Sequence, residues 1–387
     1  MKITFHITLL LLLLFSTAAP AGAQQNIHRA RARQAAEALQ QWYNTETGVW
    51  ETTSWWNAAN ALTTIIHYTK WSGDPRYLNV ISNTFDRCRE FEVKYKDPSQ
   101  NWTCRNFINA WYDDEGWWVL VWIDAYDLTK DNRYLEMAKT TFADMTHGWD
   151  DVCGGGVYWK KPDIGKHAIT NELFMLSAIR LHQRLPDGSR VVGGRTCLRW
   201  AKDTWRWMRD SAMVNKNHLV ENGFSDDCQL QRGTYYTYNQ GIILSALTEL
   251  GQVTGDRSLL ELAKDIAGAA IHNLVDADGI LRDPKEPQVT GDSAQFKGVF
   301  LRHLTRLYLL TGDQQFKTFI LKNADSLWRR ARNPVNNRIG ALWAGPFDKG
   351  DAARQSSALD ALNAAMAVTS NPPVILRKGS SAPAHKP

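Results

Sequence analysis

Trp71-Ser72-Gly73-Asp74-Pro75-Arg76-Tyr77-Leu78 is a phrase that recurs along this chain. Leu128-Thr129-Lys130-Asp131-Asn132-Arg133-Tyr134-Leu135 echoes it, as do Thr254-Gly255-Asp256-Arg257-Ser258-Leu259-Leu260 and Thr311-Gly312-Asp313-Gln314-Gln315-Phe316. Leu185-Pro186-Asp187-Gly188-Ser189 is a weaker copy. The aspartates lie 57 residues apart from Asp74 to Asp131 and again from Asp256 to Asp313, with steps of 56 and 69 between. A glycine past the last helical turn takes the left-handed conformation at little cost, and an aspartate just after it caps the next helix. Each copy therefore marks a tight helix–helix turn.

A period of this length holds two helices and one longer loop. Helical patterns are expected near residues 28–43, 55–71, 75–94, 113–129, 132–147 and 166–184, then 195–212, 236–253, 257–274, 291–311, 314–332 and 353–368. Twelve helices in six hairpins predict an all-α fold, an (α/α)6 barrel, with an open solenoid of hairpins as the competing shape. The short turns gather at one end. The long loops gather at the other: Thr47–Ser54, Thr103–Tyr112, Cys153–Lys166, Asn222–Tyr235, Asp278–Thr290 and Ile339–Gly350. Function concentrates on such loops over a rigid scaffold.

One of those loops ends in Trp111-Tyr112-Asp113-Asp114-Glu115-Gly116-Trp117-Trp118, two adjacent carboxylates among four large rings, followed by a mostly apolar run to Leu128. The pair opens the fourth helix, where the dipole and free N–H groups favour an anionic carboxylate. Two carboxyl groups in unlike environments are what acid–base work on a glycosidic bond requires, and aromatic faces suit a sugar ring. An aspartate doublet is more often a helix cap and a solvated neighbour, and the chain carries two more, Asp150-Asp151 and Asp226-Asp227. The aromatic collar and the apolar helix behind it distinguish the first.

Composition narrows the classes. Of 387 residues, 17 are Trp, and Trp55-Trp56, Trp117-Trp118 and Trp343 lie in or beside loops. A net charge of +5 from scattered basic residues gives no nucleic-acid footprint. Met1 to Phe15 reads as a charged start and a short apolar run, and Ala21-Gly22-Ala23 as a cleavage pattern. A secretory signal over 1–23 is expected, then one catalytic domain over 24–369 and a disordered tail over 370–387, rich in Pro, Ser and Lys. No later run is long enough for a membrane span. Cys88 could bridge Cys104, and Cys153 could bridge Cys228, leaving at least one of five unpaired. Neither metal-ligand spacing nor a cofactor motif is found, and no cofactor is expected.

With these phrases in place, the chain resembles glycoside hydrolase family 76, the α-1,6-mannanase family. The likeness rests on Tyr112 to Trp117 and on Trp55-Trp56-Asn57-Ala58-Ala59-Asn60. It extends through Gly154-Gly155-Gly156-Val157-Tyr158-Trp159, Asn171-Glu172-Leu173, Tyr238-Asn239-Gln240-Gly241 and Gln355-Ser356-Ser357. The resemblance implies an (α/α)6 barrel and retaining hydrolysis of α-1,6-mannan, endo-acting, with Asp113 as nucleophile and Asp114 as acid/base. The residues alone leave the order of those roles open. Asp226 or Asp227 could bond sugar hydroxyls, though a loop-turn carboxylate would look the same. Asn57, Asn60, Asn171 and Gln240 could point into the barrel, or satisfy backbone groups. Trp55, Tyr112, Trp117 and Tyr158 are candidate substrate contacts, and Lys297 reads as a snorkelling surface lysine. The expected partner is α-mannan or a mannose-containing oligosaccharide, bound by a monomer. The rival readings are a transglycosidase on the same carboxylates and a non-catalytic glycan-binding barrel; paired histidine bases for an epimerase are not in evidence.

Overall fold

The computed structural model describes residues 21–93 and 102–370. Residues 1–20 of the expected signal and 371–387 of the expected tail lie outside them. Among the described residues there are twelve α-helices. They are α1 (Ala21–Gln40), α2 (Trp55–Ser72), α3 (Leu78–Cys88), α4 (Tyr112–Thr129), α5 (Asn132–Met145) and α6 (Ala168–Arg184), then α7 (Cys197–Asp210), α8 (Thr237–Thr254), α9 (Arg257–Asn273), α10 (Phe296–Thr311), α11 (Gln314–Arg330) and α12 (Ala352–Thr369).

The even-numbered helices form an inner ring. α2 packs on α4, α4 on α6, α6 on α8, α8 on α10, α10 on α12, and α12 returns to α2. That last contact closes the ring and removes the open solenoid. Inner helices are buried nearly all round, α12 from Ala352 to Val368 without a break, whereas outer helices such as α7 bury one face. Small residues bring inner helices close: a Cβ on Gly241 of α8 would stand 2.7 Å from the Phe300 Cα of α10, and one on Gly298 2.6 Å from the Ser357 Cα of α12. Glycine is required at both contacts.

The repeated turns form as read. Gly73, Gly255 and Gly312 are left-handed, and Lys130 takes the same conformation without being glycine. Asp74, Asp131, Asp256 and Asp313 each accept from the N–H two residues on. The Asp187 copy departs: α6 stops at Arg184, a 3-10 turn and a short hairpin follow, and Thr196 caps α7. That insertion accounts for the 69-residue step.

Other expectations need correction. The helix expected over 75–94 breaks into a 3-10 turn (Pro75–Tyr77) and the short α3, because Glu90–Val93 pairs antiparallel with Trp102–Arg105. The helix expected from 166 starts at Ala168, since Lys166–His167 pairs with Gly223–Phe224. The one expected from 291 begins with a separate 3-10 turn, Gly291–Ala294. Of the two bridges the sequence allowed, Cys153–Cys228 is present and ties the third long loop to the fourth. Cys88 and Cys104 remain buried thiols: the Cys88 Sγ donates to the Thr47 carbonyl at 3.4 Å, and Cys104 sits in the ladder opposite Phe91. Lys297 is buried, not a surface residue, its Nζ donating to the Ala341 carbonyl at 2.7 Å and pairing with Glu286 at 2.5 Å. No helix among the described residues is long and apolar enough to cross a membrane.

Candidate active site

Trp111 is the N-cap of α4, so Asp113 and Asp114 occupy its second and third positions, neither being the cap itself. There the first-turn amides point at them without intrahelical partners. Asp113 faces a cleft of about 370 Å³ between the long loops, with Trp56, Trp117, Trp159, Tyr236, Tyr238 and Asp292 among its walls. Its Oδ2 accepts from the Trp159 indole N–H at 3.0 Å, and Oδ1 has no partner. Asp114 stands one step deeper and is 9% exposed. The Asn109 amide donates to its Oδ2 at 2.7 Å.

The two carboxyls differ in proton affinity. Burial pushes Asp113 up to about 7, while the Trp159 bond and the helix amides pull it down. Asp114 rises well above the carboxylate range, first by burial and then by the charge of Asp113; Asp292 adds to it and Asn109 opposes it. The pair therefore loses its first proton from Asp113 and keeps the second on Asp114.

The loop leading to the pair is held by residues the sequence did not single out. Lys161 donates to the Asn109 carbonyl at 2.8 Å, to Glu115 at 2.5 Å and to Asp144 at 2.6 Å. Glu115, fully buried, in turn accepts from the Asn109 N–H at 3.2 Å. This network fixes the residue that orients Asp114. Opposite, Asp292 accepts from the Trp56 indole at 2.6 Å, and Trp56 stacks on Trp117 at 5.4 Å. Tyr238 lies flat on Phe296 at 3.9 Å, and Trp159 on His167 at 4.8 Å. Burial lowers His167 to about 4, so that ring is neutral near pH 7.

Of the residues picked from sequence, Asp113 and Trp117 line the cleft. Trp55 is core, against Trp118 at 4.8 Å. Tyr112 is buried under the Lys161 ammonium at 4.5 Å, and Tyr158 donates to Asp150 at 2.9 Å beneath Lys166. The amides hold backbone or each other. Asn171 exchanges two hydrogen bonds with Val157, and Gln240 does the same with Val220. Asn57 bonds Gln295, and Asn60 bonds the Trp56 carbonyl and Arg302. Asp226 accepts from the Gly165 N–H at 2.7 Å, and Asp227 from the Ser225 hydroxyl at 2.5 Å, both exposed.

A deep cleft with aromatic walls and an asymmetric carboxyl pair is a site for sugar chemistry, and the comparisons agree. Residues 28–376 match the model of glycosyl hydrolase family 76. The chain belongs to that family. It is a glycoside hydrolase. A mannan endo-1,6-alpha-mannosidase of Candida glabrata is 22% identical over 360 residues, 84% of this chain and 75% of that protein. The fold of an α-1,6-mannanase from Salegentibacter sp. HEL1_6 matches with a TM-score of 0.76 at 24% identity, over 88% of this chain and 99% of that one. An inactive variant of that enzyme, with two consecutive aspartates replaced by asparagine and α-1,6-mannotriose bound, matches equally well.

For a family 76 chain the partners missed by sequence reasoning had partial signatures. Trp159 closes the Gly-Gly-Gly-Val-Tyr-Trp phrase and Tyr238 opens Tyr-Asn-Gln-Gly, but nothing in either phrase says which ring faces the cleft. Asp292 follows Gly291 and reads as one more Gly-Asp turn, off the period. Among the described residues no group of histidine, cysteine and carboxylate side chains could hold a metal ion.

Proposed function

We propose that this chain is an exported, retaining endo-α-1,6-mannanase acting on α-mannan by double displacement. The observation that carries it is the unlike pair, Asp113 in the wall of an aromatic cleft and Asp114 buried behind it, with the proton held more tightly on Asp114. The relatives' activity on α-1,6-linked mannan gives the substrate class.

In the first step a carboxylate oxygen of Asp113 attacks C1 of the mannose in the cleft. Asp114 passes its proton to the departing O6 of the next mannose, so the glycosidic bond breaks with charge neutral at the leaving oxygen. Trp159 donates to the Asp113 Oδ2, which fixes the direction of that carboxylate. Once Asp113 is esterified its charge is gone, and Asp114, now ionised, takes a proton from the incoming water. Water attacks C1 from the opposite side, and net configuration is retained.

Purified protein incubated with linear α-1,6-mannan should release shortened oligosaccharides whose first anomer, followed by NMR, is α. Inverted product, or no attack on this polymer, would overturn the reading. N-terminal mass spectrometry of the exported protein should find Gln24 first; an intact Met1 on active protein would refute export by cleavage. Light scattering should give the mass of a monomer.

A further inference from the structure

Beneath the cleft, across Trp117, the barrel axis holds a second cavity of about 70 Å³. Trp117 lines both spaces. The lower one lies toward the short-turn end, walled by charged side chains of the inner helices. A single water needs roughly 10–15 Å³ of such space, so this volume takes several waters or one small ion.

We propose that this axial cavity is a binding site for one small monovalent anion, a carboxylate or a halide, held between Arg306 and Lys70. The proposal is independent of the substrate reading above. In the network around the cavity five cations (Lys70, Arg180, Arg184, Arg302 and Arg306) meet four carboxylates (Asp124, Asp127, Glu249 and Asp360). His67 and His303 do not add charge: burial lowers both, aided by nearby cations at His303 and opposed by Asp124 at His67.

Each carboxylate already has a cationic partner, although the Glu249 Oε2 makes no hydrogen bond. Arg302 takes Asp360 through two nitrogens at 3.0 and 2.6 Å and spends a third on Asn60. Arg184 takes both oxygens of Asp127. Asp124 is shared by His67 at 3.1 Å and Arg180 at 3.4 Å. Glu249 Oε1 already accepts from Arg180 at 3.1 Å. Arg306 reaches only that same oxygen, at 2.8 Å through Nε, and among the described residues makes no hydrogen bond. Its side chain is 25% exposed, against 6% for Arg180 and 8% for Arg302, and it lines the cavity, so the open surface is offered there. Lys70, at the exposed rim, has no carboxylate partner among the described residues; its ammonium lies over the Trp71 ring at 5.1 Å.

A guanidinium with a free planar edge and an ammonium at the entrance are the donors a small anion needs. One negative charge balances the network; two would overshoot it. The competing account is that the extra cation only offsets the carbonyl ends of the inner helices. That effect acts within the last turn, so it reaches Lys70, two residues before the end of α2 at Ser72, but not Arg306, five residues before the end of α10 at Thr311.

Two measurements on the full chain decide. Sodium formate and sodium bromide, each titrated at constant ionic strength, should raise Tm saturably by a few degrees. Crystals soaked in bromide should give an anomalous peak beside Arg306. Arg306→Gln should abolish the peak and both titrations, and Lys70→Gln, a rim substitution that leaves the fold intact, should weaken apparent affinity several-fold. A Tm that follows ionic strength alone, with no peak, would overturn the site. Sulfate matching formate at equal ionic strength would overturn its monovalent character.

Discussion

The Asp113-Asp114 and Asp150-Asp151 doublets are one dipeptide on one end of one barrel, yet their surroundings drive them in opposite directions. Asp113 sits in the first turn of a buried helix with one oxygen unpartnered, and burial raises it to about 7. Asp150 sits in a loop, where its oxygens are taken by the Lys166 ammonium at 2.5 Å and the Tyr158 hydroxyl at 2.9 Å. Against the pull of burial, those two bonds hold it below the usual carboxylate range. A carboxylate with all its bonds made is cement. One that is buried, unpaired and beside a like charge stores free energy that substrate can release.

The comparison breaks most visibly in activity. Asp113→Asn should cut turnover of α-1,6-mannan by about 10³-fold or more, and Asp114→Asn by at least about 10²-fold. A substrate with an activated leaving group should partly rescue the second and not the first. Asp150→Asn should cost less than about tenfold, because it loses a loop contact and no chemistry. Equal losses at both doublets, measured as initial rates of reducing-sugar release, would erase the distinction.

How much of this was legible follows from the range of the interactions. The glycine-plus-aspartate turns depend on neighbours within four residues, so Gly73-Asp74, Gly255-Asp256 and Gly312-Asp313 could be read directly. Lys130-Asp131 was legible through its echo, although Lys130 replaces the glycine. The doublet was legible because a local helix start and an apolar helix select it. Trp159, Tyr238 and Asp292 were not, since they reach the cleft from loops or helices 46, 125 and 179 residues beyond Asp113 in the numbering. Asn57, Asn171 and Gln240 were recognised as amides at inner-helix starts, and their partners are loop backbone or a second amide. That choice depends on how each long loop folds back, which no spacing encodes.

Next in size is the bond that orients Asp113. Trp159→Phe keeps the ring on His167 and removes the N–H that Asp113 accepts. A hydrogen bond to a charged group contributes about 1.5–3 kcal/mol, so kcat/KM at pH 6 should fall by about 10- to 100-fold. The acid limb of the profile should move to higher pH, because that bond favours the ionised form. An unchanged limb would mean that the indole N–H does not act on Asp113.

Asp292→Asn should do the reverse and less. Asp292 adds negative charge that raises both members of the pair, and an amide retains an oxygen for the Trp56 indole. The acid limb of kcat/KM should move down from near pH 7 by roughly half a unit to one unit. A limb that stays in place would remove Asp292 from the electrostatics of the cleft.

The smallest effect tests the comparison through stability. Asp113 and Asp114 bind protons more tightly folded than unfolded, so between about pH 4 and pH 7 the folded chain holds more protons and stability falls as pH rises. Asp114→Asn removes part of that loss, so Tm at pH 7.5 should rise by about 2–4 °C, with little gain at pH 4, where the folded carboxyl is protonated and the unfolded one only about half ionised. Asp150 has the opposite sign. Its lowered pKa gives stability that is present above about pH 4 and lost as pH falls through the folded value. Asp150→Asn leaves the Lys166 ammonium, 1% exposed, without its counter-charge; with Asp150 itself 43% exposed, the loss at pH 7.5 should be only about 1 kcal/mol. The same aspartate-to-asparagine change should therefore raise Tm in one doublet and lower it in the other. Calorimetry of both variants at pH 4 and pH 7.5 reads this directly, and shifts of the same sign would show that the two sites do not differ in the way their geometry requires.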